Sequence, residues 1–202
     1  MTDLEDSMGW VHAQEGLVGA EIEHLRAGAP VELEKGACYL IEEKKPDLSY
    51  RLFDILLQQK VPGLCLTRQY PERVRKEHGL SDVRVIWLSH TPGEDYHNPT
   101  AIGTLAKVIQ KFIEDHAGEG VVLLEGLEYL IINNGFLQTL MFVEHVNEFV
   151  MQRRATLLLP VSPDTLEEKE LALLERNVEV LESPNVKTDL ETREVSRLLD
   201  HY

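Results

Sequence analysis

One stretch constrains this chain more than any other: Val121-Val122-Leu123-Leu124-Glu125-Gly126-Leu127-Glu128-Tyr129-Leu130. Four branched aliphatics in succession leave no polar side to turn toward water, so the run reads as a strand buried on both faces. The carboxylate and glycine that follow put its carboxyl end at a crevice, where open α/β sheets place their ligands. The rest of the chain reads as layers around that strand.

Further continuous apolar runs are Gly36–Ile41, Gly63–Thr67, Val83–Leu88, Ala155–Val161 and a short Val178–Leu181. Between them lie stretches with helical spacing. Asp47 or Leu48 opens one with Phe53, Leu56 and Leu57 on one face, stopped by Val61-Pro62-Gly63. Pro71 suits the first turn of a short basic helix that ends near His78-Gly79. Ser89–Asn98 reads as a polar loop, and Asn98-Pro99 as the cap and first residue of a helix carrying Leu105, Val108, Ile109, Phe112 and Ile113. A long amphipathic helix is expected over about Phe136–Arg153, and another capped by Ser162-Pro163-Asp164 and running through Leu173 and Leu174. Strands and helices thus alternate with no hairpin signal. That pattern predicts a parallel sheet covered by helices on both faces, a three-layer α/β sandwich.

The expected organisation is an acidic N-terminal arm over residues 1–35, an α/β domain over 36–183 and an acidic C-terminal helix over 184–202. The arm has a weak amphipathic stretch from Trp10 to Leu25, and Thr188 with Glu191 forms a capping box for the terminal helix. A chain of 202 residues, 43% hydrophobic and 27% charged, can bury one large core without needing a second.

Charge excludes some partners. The net charge is −15, and residues 1–36 hold eight acids against two bases while residues 164–202 hold eleven against five. Such a chain repels nucleic acid and anionic lipid, so neither is expected as a partner. No window approaches the roughly 18 apolar residues of a membrane span. The segment Met1–Trp10 carries Asp3, Glu5 and Asp6 and no apolar run, unlike a secretory or transit signal. Cys38 and Cys65 sit in strand-like runs without metal-ligand or CxxC spacing, which suits small buried hydrophobes in a reducing cytoplasm.

Where a nucleotide-binding α/β protein would carry its phosphate cradle, this chain has Glu42-Glu43-Lys44-Lys45-Pro46-Asp47-Leu48-Ser49. A cradle needs glycines so that backbone N–H groups can converge on phosphate, and a lysine followed by a hydroxyl. This loop has no glycine, a proline that removes a donor, and two carboxylates that repel phosphate. Glu125 could hold magnesium or act as a general base. The plainer alternative is a carboxylate hydrogen-bonded to neighbouring strand-end amides. His90, His97, His116 and His145 show no ligand spacing, and Ser89-His90 lacks the glycine elbow of a nucleophile. Neither metal nor cofactor is expected.

Four separated motifs carry a family resemblance: Tyr39-Leu40-Ile41-x-Glu43-Lys44-Lys45-Pro46, Gly63-Leu64-Cys65-Leu66-Thr67-Arg68-x-Tyr70-Pro71, Ile86-Trp87-Leu88-Ser89, and Leu123–Leu130 with Asn133-Asn134-Gly135-Phe136. From about Gly36 to Leu181 the chain resembles the archaeal family called domain of unknown function 835. In that family the strand-end acid is usually aspartate, whereas this chain has Glu125, one methylene longer. The resemblance implies a RecA/KaiC-like P-loop NTPase fold without a functional P-loop, of the kind that accompanies sensory and signalling modules. It also implies a strand order, with the Ala155 strand between the Tyr39 and Val121 strands and the Leu64 strand on the far side of Val121.

In a parallel sheet the strand carboxyl ends bring Lys44, Lys45, Arg68, Tyr70, Ser89, His90, Glu125 and Tyr129 to one rim. Arginine beside tyrosine resembles an interaction hot spot more than a catalytic site. The plainer alternative has Arg68 pairing with Glu125 or Glu43 to satisfy buried strand ends. The expected function is a non-catalytic signalling or regulatory module that binds a protein partner at this rim. The alternative is an ATPase-like enzyme whose unorthodox phosphate site is built from Lys44, Lys45 and Arg68 around Glu125.

Overall fold

The computed structural model describes residues 33–176 and 178–182. The expected Trp10–Leu25 stretch and the Thr188 capping box lie outside the described residues. Among the described residues seven strands form one sheet: β1 (Ala37–Glu42), β2 (Gly63–Thr67), β3 (Arg84–Leu88), β4 (Tyr96–His97), β5 (Glu119–Glu125), β6 (Arg154–Val161) and β7 (Glu179–Glu182). Their order is β4-β3-β2-β5-β6-β1-β7. β6 therefore separates β1 from β5, and β2 lies on the far side of β5, as the strand-order expectation required. The β1–β6, β5–β6, β2–β5, β2–β3 and β3–β4 pairings are all parallel.

Six α-helices accompany the sheet among the described residues: α1 (Asp47–Gln58), α2 (Pro71–His78), α3 (Ile102–Asp115), α4 (Leu127–Asn134), α5 (Phe136–Met151) and α6 (Glu168–Glu175). Successive strand side chains alternate between faces, so each apolar run feeds two cores. On one face Leu40, Leu64, Leu66, Val122, Leu124, Leu157 and Leu159 join a cluster with Leu105, Ile109 and Ile113 of α3 and Val143, Val146 and Val150 of α5. On the other, α1 packs against β5 and β6. Val121 through Leu124 have no exposed surface at all. Cys38 and Cys65 are buried free thiols. Among the described residues no helix is long and apolar enough to cross a membrane.

Several local expectations are corrected. Asn98 does not cap α3, which begins at Ile102. Its Oδ1 accepts from the Thr100 amide at 3.0 Å and hydroxyl at 2.9 Å, and its carbonyl accepts from Ala101 N–H at 2.9 Å, so the asparagine closes a turn one step ahead of the helix. The Ser89–Asn98 loop contains the two-residue β4, held by Trp87 N–H to the Asp95 carbonyl at 2.7 Å and Ser89 N–H to the His97 carbonyl at 3.0 Å. Ser162-Pro163-Asp164 leads into a 3-10 turn, Pro163–Thr165, and α6 is capped instead by the reciprocal box of Glu167 and Glu170. Strand character ends at Glu125. Gly126 then adopts φ +132°, a conformation L side chains rarely take, and turns the chain abruptly into α4.

Candidate functional site

The carboxyl edge of β2 and β5 is joined through side chains. Register sets Thr67 directly opposite Glu125. The Thr67 hydroxyl donates to Glu125 Oε2 at 2.5 Å, while Arg68 N–H donates to the same oxygen at 3.2 Å and to the Glu125 carbonyl at 3.2 Å. Thr67 Oγ1 in turn accepts from Gln69 N–H at 3.0 Å and from the Tyr50 hydroxyl of α1 at 3.5 Å. One proton given and two accepted is a full use of a threonine hydroxyl. Burial pushes the Glu125 carboxyl above its ordinary range, opposed by the Thr67 and Arg68 N–H hydrogen bonds and by the Arg68 charge. Burial also pushes the Cys65 thiol, two residues before Thr67 on β2, up to about 12, so it is no nucleophile.

Beside this network stands an aromatic pair, exposed Tyr70 on half-buried Trp87. The Trp87 indole donates to the Arg68 carbonyl at 3.1 Å, which fixes the ring. Tyr70 meets it edge-on, with centroids 5.6 Å apart and planes at 83°, yet remains 58% exposed. The Arg68 side chain is exposed as well. The alternative of Arg68 pairing with Glu125 or Glu43 finds no ion pair among the described residues: its amide makes the hydrogen bond to Glu125, and its exposed guanidinium acts on that carboxyl only through its charge.

Further along the edge, His90 Nε2 lies 2.8 Å from Asn133 Oδ1, and its ring meets Tyr129 edge-on at 6.3 Å. Ser89 is buried, and its Oγ accepts from Thr91 N–H at 2.9 Å. That bond makes Ser89 the pivot of a turn. Asn133, which has no special spacing in the sequence, ties α4 to this loop.

The β1 loop is a separate place. β1 stands two strands from β5, about 10 Å away at ordinary strand spacing, and exposed Lys44 turns to Asp164 at 2.7 Å. Lys45 is exposed. No hydrogen bond or ion pair links either lysine to Glu125 among the described residues. Glu43 occupies the first turn of α1 instead, accepting from Leu48 N–H at 2.8 Å, from Ser49 N–H at 3.0 Å and, closely, from the Ser49 hydroxyl. Helix N-termini attract anions because their first N–H groups lack intrahelical partners. Here the chain supplies the anion, with only 7% of Glu43 exposed. Burial raises its pKa first, the Ser49 and Leu48 bonds lower it, and nearby Asp47 raises it. Among the described residues no three His, Cys, Asp or Glu side chains converge as metal ligands would.

A parallel sheet in this order, covered on both faces and carrying an acid at the end of its central strand, is a RecA-like α/β fold. The chain belongs to the family described as protein of unknown function, DUF835, whose model matches residues 42–178. Its fold is similar to that of the flagellar accessory protein FlaH from Methanocaldococcus jannaschii, with TM-score 0.54 and 14% identity over 75% of this chain and 73% of that one. It is also similar to the PH0250 protein from Pyrococcus horikoshii OT3, with TM-score 0.52 and 19% identity over 76% and 84%. No curated protein matches the chain.

Proposed function

We propose that this chain is a non-catalytic protein-interaction module in signalling or regulation, on a RecA-like scaffold whose phosphate site is taken by its own Glu43. The observation that carries the reading is the Glu43 carboxylate seated on the first turn of α1. A phosphate loop needs open N–H groups there and a hydroxyl for magnesium. The Leu48 and Ser49 amides and the Ser49 hydroxyl are already engaged. An incoming phosphate would have to displace a buried carboxylate and then sit beside it. The exposed Tyr70 on its fixed Trp87, next to exposed Arg68, supports the rim as the partner-binding surface, since aromatic and arginine side chains dominate interface energetics.

The test is calorimetry of the full chain with ATP and magnesium. No binding tighter than about millimolar is expected, that is, less than about 4 kcal/mol. Micromolar, magnesium-dependent binding overturns the reading. On the partner side, a protein retained by the wild-type chain should be lost from both Arg68→Ala and Tyr70→Ala.

A further inference from the structure

A second surface lies away from the rim, on the outer side of α3 and α5. Both helices return between parallel strands, so they run in the same direction, and a groove of about 280 Å³ opens between them. It exists because α3 presents small residues there: a Cβ added to Gly103 would meet nothing within 4 Å. Ile102, Ala106, Met141 and Phe142 make its floor apolar. At the far end the Gln110 amide donates to the His145 ring at 3.0 Å and closes it. At the near end the Asn134 amide donates to the Pro99 carbonyl at 2.9 Å, which fixes the starts of the two helices relative to each other. The apolar surface continues outward through Leu137, 66% exposed, and Met141, 56% exposed.

Charge identifies what fits. On a chain of net charge −15, none of the residues lining this groove is a carboxylate, and Lys107 and His145 are among them. Neither α3 nor α5 has an acid in its first turn, so the positive ends of two parallel helix dipoles lie at the open end without a carboxylate of their own, and the Lys107 charge follows about a turn and a half along α3. Among the described residues Lys107 has no ion-pair partner, whereas Lys111 one turn on is held by Asp115 at 2.9 Å.

We propose that this groove docks an amphipathic helix of a partner protein, one that inserts two apolar side chains a turn apart and flanks them with carboxylates. The apolar pair would cover Ala106, Met141 and Phe142, and a carboxylate would reach Lys107. This is helix-in-groove recognition with the sign of the charge specified.

The probe is a fluorescein-labelled synthetic helix of about four turns, with leucines four residues apart and glutamates on both flanks. A twin peptide carries lysines in place of the glutamates. Anisotropy with the full chain should show the glutamate peptide binding roughly tenfold or more tightly and weakening as salt rises. Met141→Asp should abolish that binding, and Lys107→Glu should reverse the preference. Both positions are exposed, and circular dichroism checks that each variant is folded. Equal affinity for the two peptides, binding of neither, or a preference unchanged by Lys107→Glu overturns the proposal. So does self-association in sedimentation that Met141→Asp dissolves, because a second copy would then be the occupant.

Discussion

Thr67 and Glu125 stand 58 residues apart in the chain, yet their side chains meet at 2.5 Å and close the ends of two neighbouring parallel strands. Thr67→Val keeps the volume and removes the only side-chain donor to that carboxylate among the described residues. The expected cost is about 1–3 kcal/mol of unfolding free energy, the penalty for a poorly satisfied polar group. Urea denaturation measures it, and an unchanged midpoint would show that the Arg68 amide suffices.

Arg68→Ala should leave stability within about 0.5 kcal/mol of wild type, because an exposed guanidinium is removed without orphaning a buried charge. A loss of several kcal/mol would instead mark Arg68 as the counter-ion of Glu125. Thermal and urea unfolding of this one variant separate the two.

Glu43 makes a prediction about pH. Its folded pKa is raised, mainly by burial, so the folded chain holds a proton that the unfolded chain has already released. Its contribution is therefore most favourable below the window between the unfolded and folded values and declines as pH rises through that window. Glu43→Gln cannot titrate. Wild-type stability should thus fall relative to the variant across the window and run parallel to it above. A difference independent of pH from acid to neutral would refute this.

Leu123→Ala removes part of a side chain with no exposed surface at the middle of the central strand. Packing on both faces leaves little room to collapse, so the cost is expected at about 2–5 kcal/mol. Chemical denaturation tests it, and a cost below that range would show that the neighbouring layers relax into the space.

Much of the fold was legible because the strands are continuous apolar runs and a parallel sheet leaves few alternatives. What escaped was short or ambiguous. α4 follows β5 after a single glycine, and Leu127 and Leu130 prolong the strand's hydrophobicity over barely two turns, too briefly for a period to emerge. Asn98-Pro99 serves a turn as well as it serves a cap. β4 is two residues held by backbone bonds, which leave no trace in side-chain pattern. In the site, Glu125 against strand-end amides was legible from its place after four aliphatics. Its bond to Thr67 was not, since that depends on register between distant strands. Lys44 and Lys45 were grouped with Glu125 because all follow strand ends. The ion pair of Lys44 with Asp164, in the turn after β6, was not legible, since it too depends on which strand lies beside β1.

That same placement of β6 has a consequence for how the molecule is made. Ala37 finds Thr156 as its neighbour, so among the described strands β1 is made well before the strand it pairs with. Until Arg154–Val161 is synthesised, β1 and β5 each offer an unpaired apolar edge, and joining them demands closure of most of the chain at once. A chain cut short upstream of β6 is therefore expected to expose those two edges rather than to fold as a smaller stable domain.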